Sequence, residues 1–483
     1  MNPEASSAFA IDPDEVTTAA PQTLWIELTS KCPFDCIFCT RRVRFGAGEH
    51  LDFEVYRRLI AELESPDFIG LNYSGESVHY PRLLEAIRLA AATGASTELV
   101  TAFSSISRPV LEGIVESGLD RLAVSLHTMD AQQYDRIYRF GSLDLLKRRI
   151  DEFLELRSKL GVRKPRLDFC FVAMHENLDQ LLPVAEYAHR LGTAEVSVHP
   201  IIGRHLVQRD FSRELFSNRL TDEFKEALRR AVGAVEAAHP GFVVNVLNPD
   251  IDPNPRVSCA PAYYAPPLPE DARIYSCDQS PYESVHILAS GAVVVCEVHD
   301  EIPLGNLHER SLREIWHGEA YREFRRKYVA GTVEGCRTCV WKFAYVPDQW
   351  SSSIVVADGM SPQLLRGWHA HEGQRILWSR KQALLALGNP NRGTRVRIAG
   401  ILPHGPAGQA NSLTITFGRV PLGEIRNETR EFIGFDATLR LPQPSGSVWL
   451  SLSVAHTHRP SLGGASGDAR DLGVGLQRIA VCA

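Results

Sequence analysis

Residues 23–42 read TLWIELTSKCPFDCIFCTRR. The run TLWIEL (23–28) has the apolar, β-branched and aromatic character of a buried strand. A thiol array follows it at once: Cys32, Cys36 and Cys39, in the spacing Cx3Cx2C. Working outward, five more strand-like runs appear at 68–73 (FIGLNY), 97–101 (TELVT), 121–126 (RLAVSL), 166–172 (RLDFCFV) and 194–199 (AEVSVH). Segments 53–63, 83–92, 110–117, 143–156 and 178–191 lie between them and repeat apolar residues at three and four, as amphipathic helices do. A strand, a loop and a helix repeated in this order make a parallel sheet covered by helices. Six such units are two short of a closed eight-stranded barrel, so the expected fold is α/β, a partial (β/α)6 TIM-like barrel. In such folds the loops past the C-terminal ends of the strands build the site, which is where the three cysteines stand.

The chain has 483 residues, 44% apolar and 23% charged, with a formal net charge of −6 and ten cysteines. That length accommodates several domains. The acidic balance argues against nucleic acid as a partner, and the lack of an eighteen-residue apolar run argues against a membrane span. The opening MNPEASSAFAIDPDE shows neither a basic nor an apolar signal region, so the expected location is cytoplasmic. In a reducing compartment, ten cysteines read as metal or redox ligands rather than as disulfides. The expected layout is a flexible segment 1–20, the partial barrel 21–205 and a crossover with a small α+β cluster-binding extension 206–350. A linker 351–364 and an all-β sandwich 365–483 complete it. The sandwich is expected from RVRIA (395–399), SLTITF (412–417) and SVWLSLSV (447–454).

Three thiolates from one loop can hold three corners of a cubic iron–sulfur cluster and leave the fourth iron open to a ligand. A zinc knuckle would need a fourth ligand nearby, and His50 is the nearest candidate. A second set comprises Cys277, Cys296, Cys336 and Cys339, with Gly291 in a turn between VHIL and AVVVC. Four cysteines suit a closed four-thiolate site for zinc or iron–sulfur. Cys170 lies in the fifth strand, as a small buried residue or turned into the barrel. Cys259 lies in a Pro-rich loop, as a further ligand, a hydrogen-atom donor or neither. Cys482 is penultimate.

The array Cx3CxΦC after the first strand resembles the radical S-adenosylmethionine (radical SAM) family over residues 23 to about 200. The resemblance implies an SAM-binding [4Fe-4S] cluster on Cys32, Cys36 and Cys39, with Phe38 packed near the adenine. Ser74-Gly75-Glu76 after the second strand resembles the family's glycine–glutamate motif for the methionine amino group, with serine where glycine is commoner. Ser125, in SLHT, stands where the family places contacts to the nucleoside. Cx13Gx4C from Cys277, then LGN, SLREIW and CxxC, is similar to the SPASM/twitch extension. It implies one auxiliary [4Fe-4S] cluster on Cys277, Cys296, Cys336 and Cys339, because 340–350 (VWKFAYVPDQW) has no further cysteine.

The implied chemistry is reductive cleavage of S-adenosylmethionine to a 5′-deoxyadenosyl radical that abstracts hydrogen from a substrate C–H bond. A reduced flavodoxin or ferredoxin-type protein would be the electron donor. Gly367-Trp368, Glu372, Trp378 and GDARDLGVGLQRIAV (467–481) resemble β-sandwich modules of bacterial glycan biosynthesis proteins. Trp368, Trp378 and Trp449 would either stack on sugars or fill the sandwich core. About twenty residues precede the first strand, too few for a leader-peptide recognition element. The expected substrate is therefore a saccharide-like alcohol that is oxidised or epimerised, in carbohydrate biosynthesis. The alternatives are peptide maturation and, further off, a zinc-bearing glycan-binding protein.

Overall fold

The structure, a computed structural model, describes residues 17–193, 195–200, 222–246, 273–277, 279–297, 300, 302–339, 342–345, 351–359, 361, 363–369, 375–406, 409–417, 420–443, 446–460, 470 and 472–482. Six parallel strands carry the barrel: β1 (Thr23–Ile26), β2 (Phe68–Gly70), β3 (Ser96–Thr101), β4 (Arg121–Ser125), β5 (Arg166–Ala173) and β6 (Glu195–Pro200). Each lies within three residues of its expected bounds. A seventh, β7 (Val243–Val246), joins in parallel beside β6. Helices Phe53–Glu62, Leu83–Ala92, Arg108–Val115, Leu143–Lys159 and Leu181–Arg190 occur where periodicity placed them. Asp52 and Ser142 accept backbone N–H groups at two of their N-termini, each cap contributing about 1 kcal/mol.

Register explains the two faces of the sheet. Parallel partners share a face, so Glu98, Arg121, Asp168, Cys170, Ser197 and His199 project to one side. The alternate residues Leu99, Leu122, Val124, Phe169, Phe171 and Val198 are wholly buried on the other side, under the helices. The barrel interior is therefore polar and its shell apolar. At the N-terminal ends of the strands, Arg121 pairs with Glu98 and Asp168, and Arg166 pairs with Asp168 at 2.7 Å. These ion pairs close that end and leave the opposite mouth for the site.

An incomplete barrel leaves the outer edge of β1 unpaired, and an open edge recruits another strand. After β8 (Arg273–Cys277), the strand β9 (Ser284–Ile287) takes that edge in parallel, with Trp25 opposite His286. β10 (Ala292–Val294) returns antiparallel through a turn in which Gly291 has φ +80°. A Cβ at Gly291 would meet the His308 ring at 2.6 Å. β11 (Pro303–Asn306) ends this ten-stranded sheet. The extension is thus a continuation of the barrel sheet, joined by helices Leu312–Trp316, Glu319–Val329 and Glu334–Thr338 and by the pair β8 and β12 (Lys342–Tyr345). Thr18 and Ala19, in the segment read as flexible, accept hydrogen bonds from Trp316 and His317 at 2.8 Å each.

The C-terminal region is all antiparallel: β13 (Ser353–Val355), β14 (Leu364–Trp368), β15 (Leu377–Gly388), β16 (Arg395–Leu402), β17 (Asn411–Phe417), β18 (Val420–Asn427), β19 (Ile433–Arg440), β20 (Ser447–Val454) and β21 (Gly475–Cys482). β13, inside the stretch read as linker, pairs with β21. β15 passes between two layers: Leu377 and Trp378 pair with β21, and Gln382–Gly388 pair with β20. The apolar core between the layers includes Leu385, Val396, Ile398, Leu413, Leu450 and Ile479. Leu365, Leu384, Ala386 and Trp449 instead pack into the larger core of the barrel and extension.

Candidate active site and thiol sets

β1 ends beneath the loop that bears Cys32, Cys36 and Cys39. Arg41 is buried and organises this loop, donating to Ser30 O at 2.9 Å and Gly46 O at 3.2 Å. The backbone N–H groups of Asp35 and Ile37 donate to the carbonyls of Tyr138 and Ile137. These last residues belong to the helix Ala131–Tyr138, capped by Asp130, so the loop is pinned to the wall of the mouth. The thiols are close enough to interact electrostatically. Burial, then the neighbouring Cys39 and Cys32 sulfurs, pushes the Cys36 thiol well up. Burial, then Glu76, pushes Cys32 up to about 12. Without a metal these groups hold their protons; cations that bind thiolate displace them.

Glu76 faces the same space. It is 4% exposed, and its Oε2 accepts the backbone N–H of Ala102 at 2.8 Å, while Oε1 is buried with no partner. Burial holds its carboxyl above the ordinary range. A buried, half-satisfied carboxylate suits an ammonium ligand. Gly75 lets two segments touch: a Cβ there would lie 2.1 Å from Thr29 O. Ser74 is turned elsewhere, its hydroxyl and N–H donating to Glu27. Glu27 is 1% exposed and also accepts the N–H of Ala289 at 2.9 Å. Its one sequence signal is a charge inside the apolar run TLWIEL.

An aromatic wall completes the mouth. Phe38 meets His127 edge-on at 5.1 Å, and His127 stacks on Tyr138 at 5.2 Å. Nδ1 of His127 accepts the N–H of Val172 at 3.1 Å, which requires that nitrogen to be unprotonated. Burial, then His199, pulls the imidazole down to about 3. Ser125 ends β4 opposite Cys170, and its carbonyl accepts the Tyr138 hydroxyl at 2.6 Å. Cys170 is on the luminal face, its thiol pushed up to about 12 by burial.

The second thiol set also assembles. Cys277 ends β8, Cys296 follows β10, and Cys336 and Cys339 flank the end of the helix Glu334–Thr338. Burial raises the Cys277 thiol well up, with Cys296 and Cys339 among its electrostatic neighbours, and Tyr328 feels both Cys277 and Cys336. Arg325, 2% exposed, braces this region by donating to Pro281 O and Trp316 O, between the rings of Trp316 and Tyr321. Among the described residues no three His, Cys, Asp or Glu side chains close on a point as a single metal ion requires. Two sets of thiols, each with its members close together and one with an unpartnered Glu76 oxygen beside it, fit a multi-iron cluster at each place. Cys259 lies outside the described residues.

Residues 26–188 match the Radical SAM superfamily, and residues 277–340 match SPASM, an iron-sulfur cluster-binding domain. The PqqA peptide cyclase of Ruegeria pomeroyi is 26% identical over 336 residues, which cover 67% of this chain and 81% of that protein. The PqqA peptide cyclase of Xanthomonas euvesicatoria is 26% identical over 331 residues, 66% of this chain and 80% of its own. Streptococcus suis SuiB bound to precursor peptide SuiA superposes with a TM-score of 0.50 at 13% identity, over 68% of this chain and 72% of that one. That last likeness is one of fold.

Proposed function

The chain is a radical SAM protein with a SPASM iron–sulfur extension, and from that premise we propose that it is an enzyme of peptide modification, of the cross-linking or cyclising kind. Its cofactors are S-adenosylmethionine and iron–sulfur clusters. When bound, this pair supplies a 5′-deoxyadenosyl radical able to take hydrogen from an unactivated C–H bond. Cys32, Cys36 and Cys39 would hold the SAM-binding cluster. Glu76 Oε1 would take the methionine ammonium, and the Gly75 backbone would lie beside it. Phe38, His127 and Ser125 would border the nucleoside. Ser74 would act through Glu27. Cys277, Cys296, Cys336 and Cys339 would hold the auxiliary cluster, and a reduced flavodoxin or ferredoxin-type donor is the matching partner.

The observation that carries the substrate class is the likeness to peptide cyclases across two thirds of this chain and four fifths of theirs. It replaces the saccharide-like alcohol and the carbohydrate-pathway role expected from sequence. The aromatic residues behind that expectation have other work. Trp368 donates its Nε1–H to Leu384 O at 3.0 Å, and Trp449 packs into the larger core while its neighbour Leu450 faces the sandwich interior.

The test is anaerobic. Reconstituted protein, S-adenosylmethionine and a reductant are incubated with peptides encoded beside its gene and, separately, with sugar alcohols. The expected result is 5′-deoxyadenosine with a matching loss of two hydrogens from a peptide. Turnover of a sugar alcohol with no peptide product would overturn the proposal.

A further inference from the structure

The helix Glu319–Val329 reads EAYREFRRKYV. Tyr321, Phe324 and Tyr328 recur at three and four and are buried, while Arg322, Glu323, Arg326 and Lys327 are exposed on the other side. The helix packs against β8, the strand that ends at Cys277. Beyond that cysteine the chain turns, with the Ser280 N–H donating to Cys277 O at 3.1 Å, and the turn delivers Tyr282 to the helix. Tyr282 meets the Tyr328 ring edge-on at 5.8 Å, and Phe324 lies nearly parallel to that ring at 6.1 Å. The phenol of Tyr328 is therefore fixed in orientation.

Tyr328 is 1% exposed, and its hydroxyl has no oxygen or nitrogen partner. The side chain beside that hydroxyl is the thiol of Cys277, with Cys336 also within electrostatic reach. Tyr321, two turns earlier on the same face, has a buried hydroxyl without a partner and Cys296 among its electrostatic neighbours. The buried face of this helix thus fronts the second thiol set. A buried hydroxyl without an acceptor costs stability, which points to an acceptor that arrives with what the site takes up. A protonated thiol accepts weakly, whereas a metal-bound thiolate carries negative charge and accepts well.

We infer that Tyr328 donates its hydroxyl hydrogen to the Cys277 sulfur when the second thiol set holds its iron–sulfur cluster, and that this bond raises the reduction potential of that cluster. Reduction adds negative charge to the sulfurs, so a donor fixed beside one of them favours the reduced form. Tyr328 acts through Cys277 and is a positioning residue. The inference rests on the iron–sulfur reading of the second set.

The test is a redox titration of the reconstituted full chain, followed by electron paramagnetic resonance. The signal of the second cluster is the one that added S-adenosylmethionine leaves in place. In Tyr328→Phe, which keeps the ring and its packing, iron content and melting temperature stay as in the native protein. Reduction of the second cluster becomes about 10-fold less favourable, a shift of ~59 mV to lower potential for one electron. The first cluster keeps its potential. An unchanged potential of the second cluster at full iron content overturns the inference and leaves the cluster reading standing. A native second set that takes up no iron overturns both. If the variant loses its iron, native protein reconstituted in deuterated water decides the matter by electron–nuclear double resonance. A deuteron coupled to the reduced second cluster supports the bond, and the lack of one overturns it.

Discussion

Glu27 accepts the backbone N–H of Ala289 at 2.9 Å across 262 residues of chain, and the same buried carboxylate takes the N–H and hydroxyl of Ser74. One side chain thus joins the end of β1, the Ser74-Gly75-Glu76 turn and the hairpin that leads to Cys296. Glu27→Ala leaves buried N–H groups unpaired. It should cost roughly 1–3 kcal/mol of stability, with Glu27→Gln recovering part of it. Chemical denaturation measures both, and an alanine variant as stable as the native chain would refute the bridging role.

The two thiol sets predict separable iron. Fully reconstituted protein should be brown and hold roughly eight irons if each set binds a four-iron cluster. Replacing Cys32, Cys36 and Cys39 by alanine should leave about half that iron and abolish 5′-deoxyadenosine. Replacing Cys277, Cys296, Cys336 and Cys339 should remove the other half. A colourless protein with two zinc ions would refute the enzymatic reading outright.

Gly75 has no room for a side chain, since a Cβ would sit 2.1 Å from Thr29 O and 2.8 Å from Lys31 O. Both are backbone atoms, so Gly75→Ala must displace the cysteine loop. An overpacking cost of about 1–3 kcal/mol is expected. Cluster reconstitution followed by visible absorption should fall with it; unaltered cluster uptake and stability would show that the contact is unimportant.

Glu76 presents one unpartnered oxygen in a buried setting. Charge-assisted hydrogen bonds contribute roughly 1.5–3 kcal/mol, so Glu76→Gln should weaken S-adenosylmethionine binding by about 10- to 100-fold. Calorimetric titration of the reconstituted protein reads this directly. Equal affinity in the two proteins would place the ammonium elsewhere.

His127 makes stability depend on pH in a known direction. Its folded pKa, about 3, lies below the ordinary value of 6.5. The unfolded chain therefore binds more protons between those values, and stability falls as pH drops from 6.5 toward 3. His127→Gln keeps an acceptor for Val172 while removing this titration. The slope of unfolding free energy against pH in that window should decrease; an identical slope would mean the imidazole is not buried neutral.

Much of this protein is determined locally along its sequence. The strand-helix alternation appears because periods of 2 and 3.6 are written in neighbouring residues. Cys32, Cys36 and Cys39 are joined by one loop, so their spacing alone brings them together. The same holds for Gly75 and Glu76 at the end of β2; the strands of the C-terminal sandwich are legible one by one, but their pairings, such as β15 with β20 and β16 with β21, are not local.

Tertiary structure decided the rest. The hydrogen-bonding edge of β1 attracts β9 from about 260 residues away, and this converts an apparently separate extension into part of one sheet. Cys277 comes beside Cys339 through a separate long-range pairing, that of β8 with β12, which sets Cys277 opposite Lys342, and Ser74 turns to Glu27 because a buried carboxylate must find donors. The arginines of β16, β19 and β21 share a face through register between strands that lie far apart in the chain. Local spacing can bring ligands together within a loop, but side chains from distant strands meet only when backbone hydrogen bonds align them.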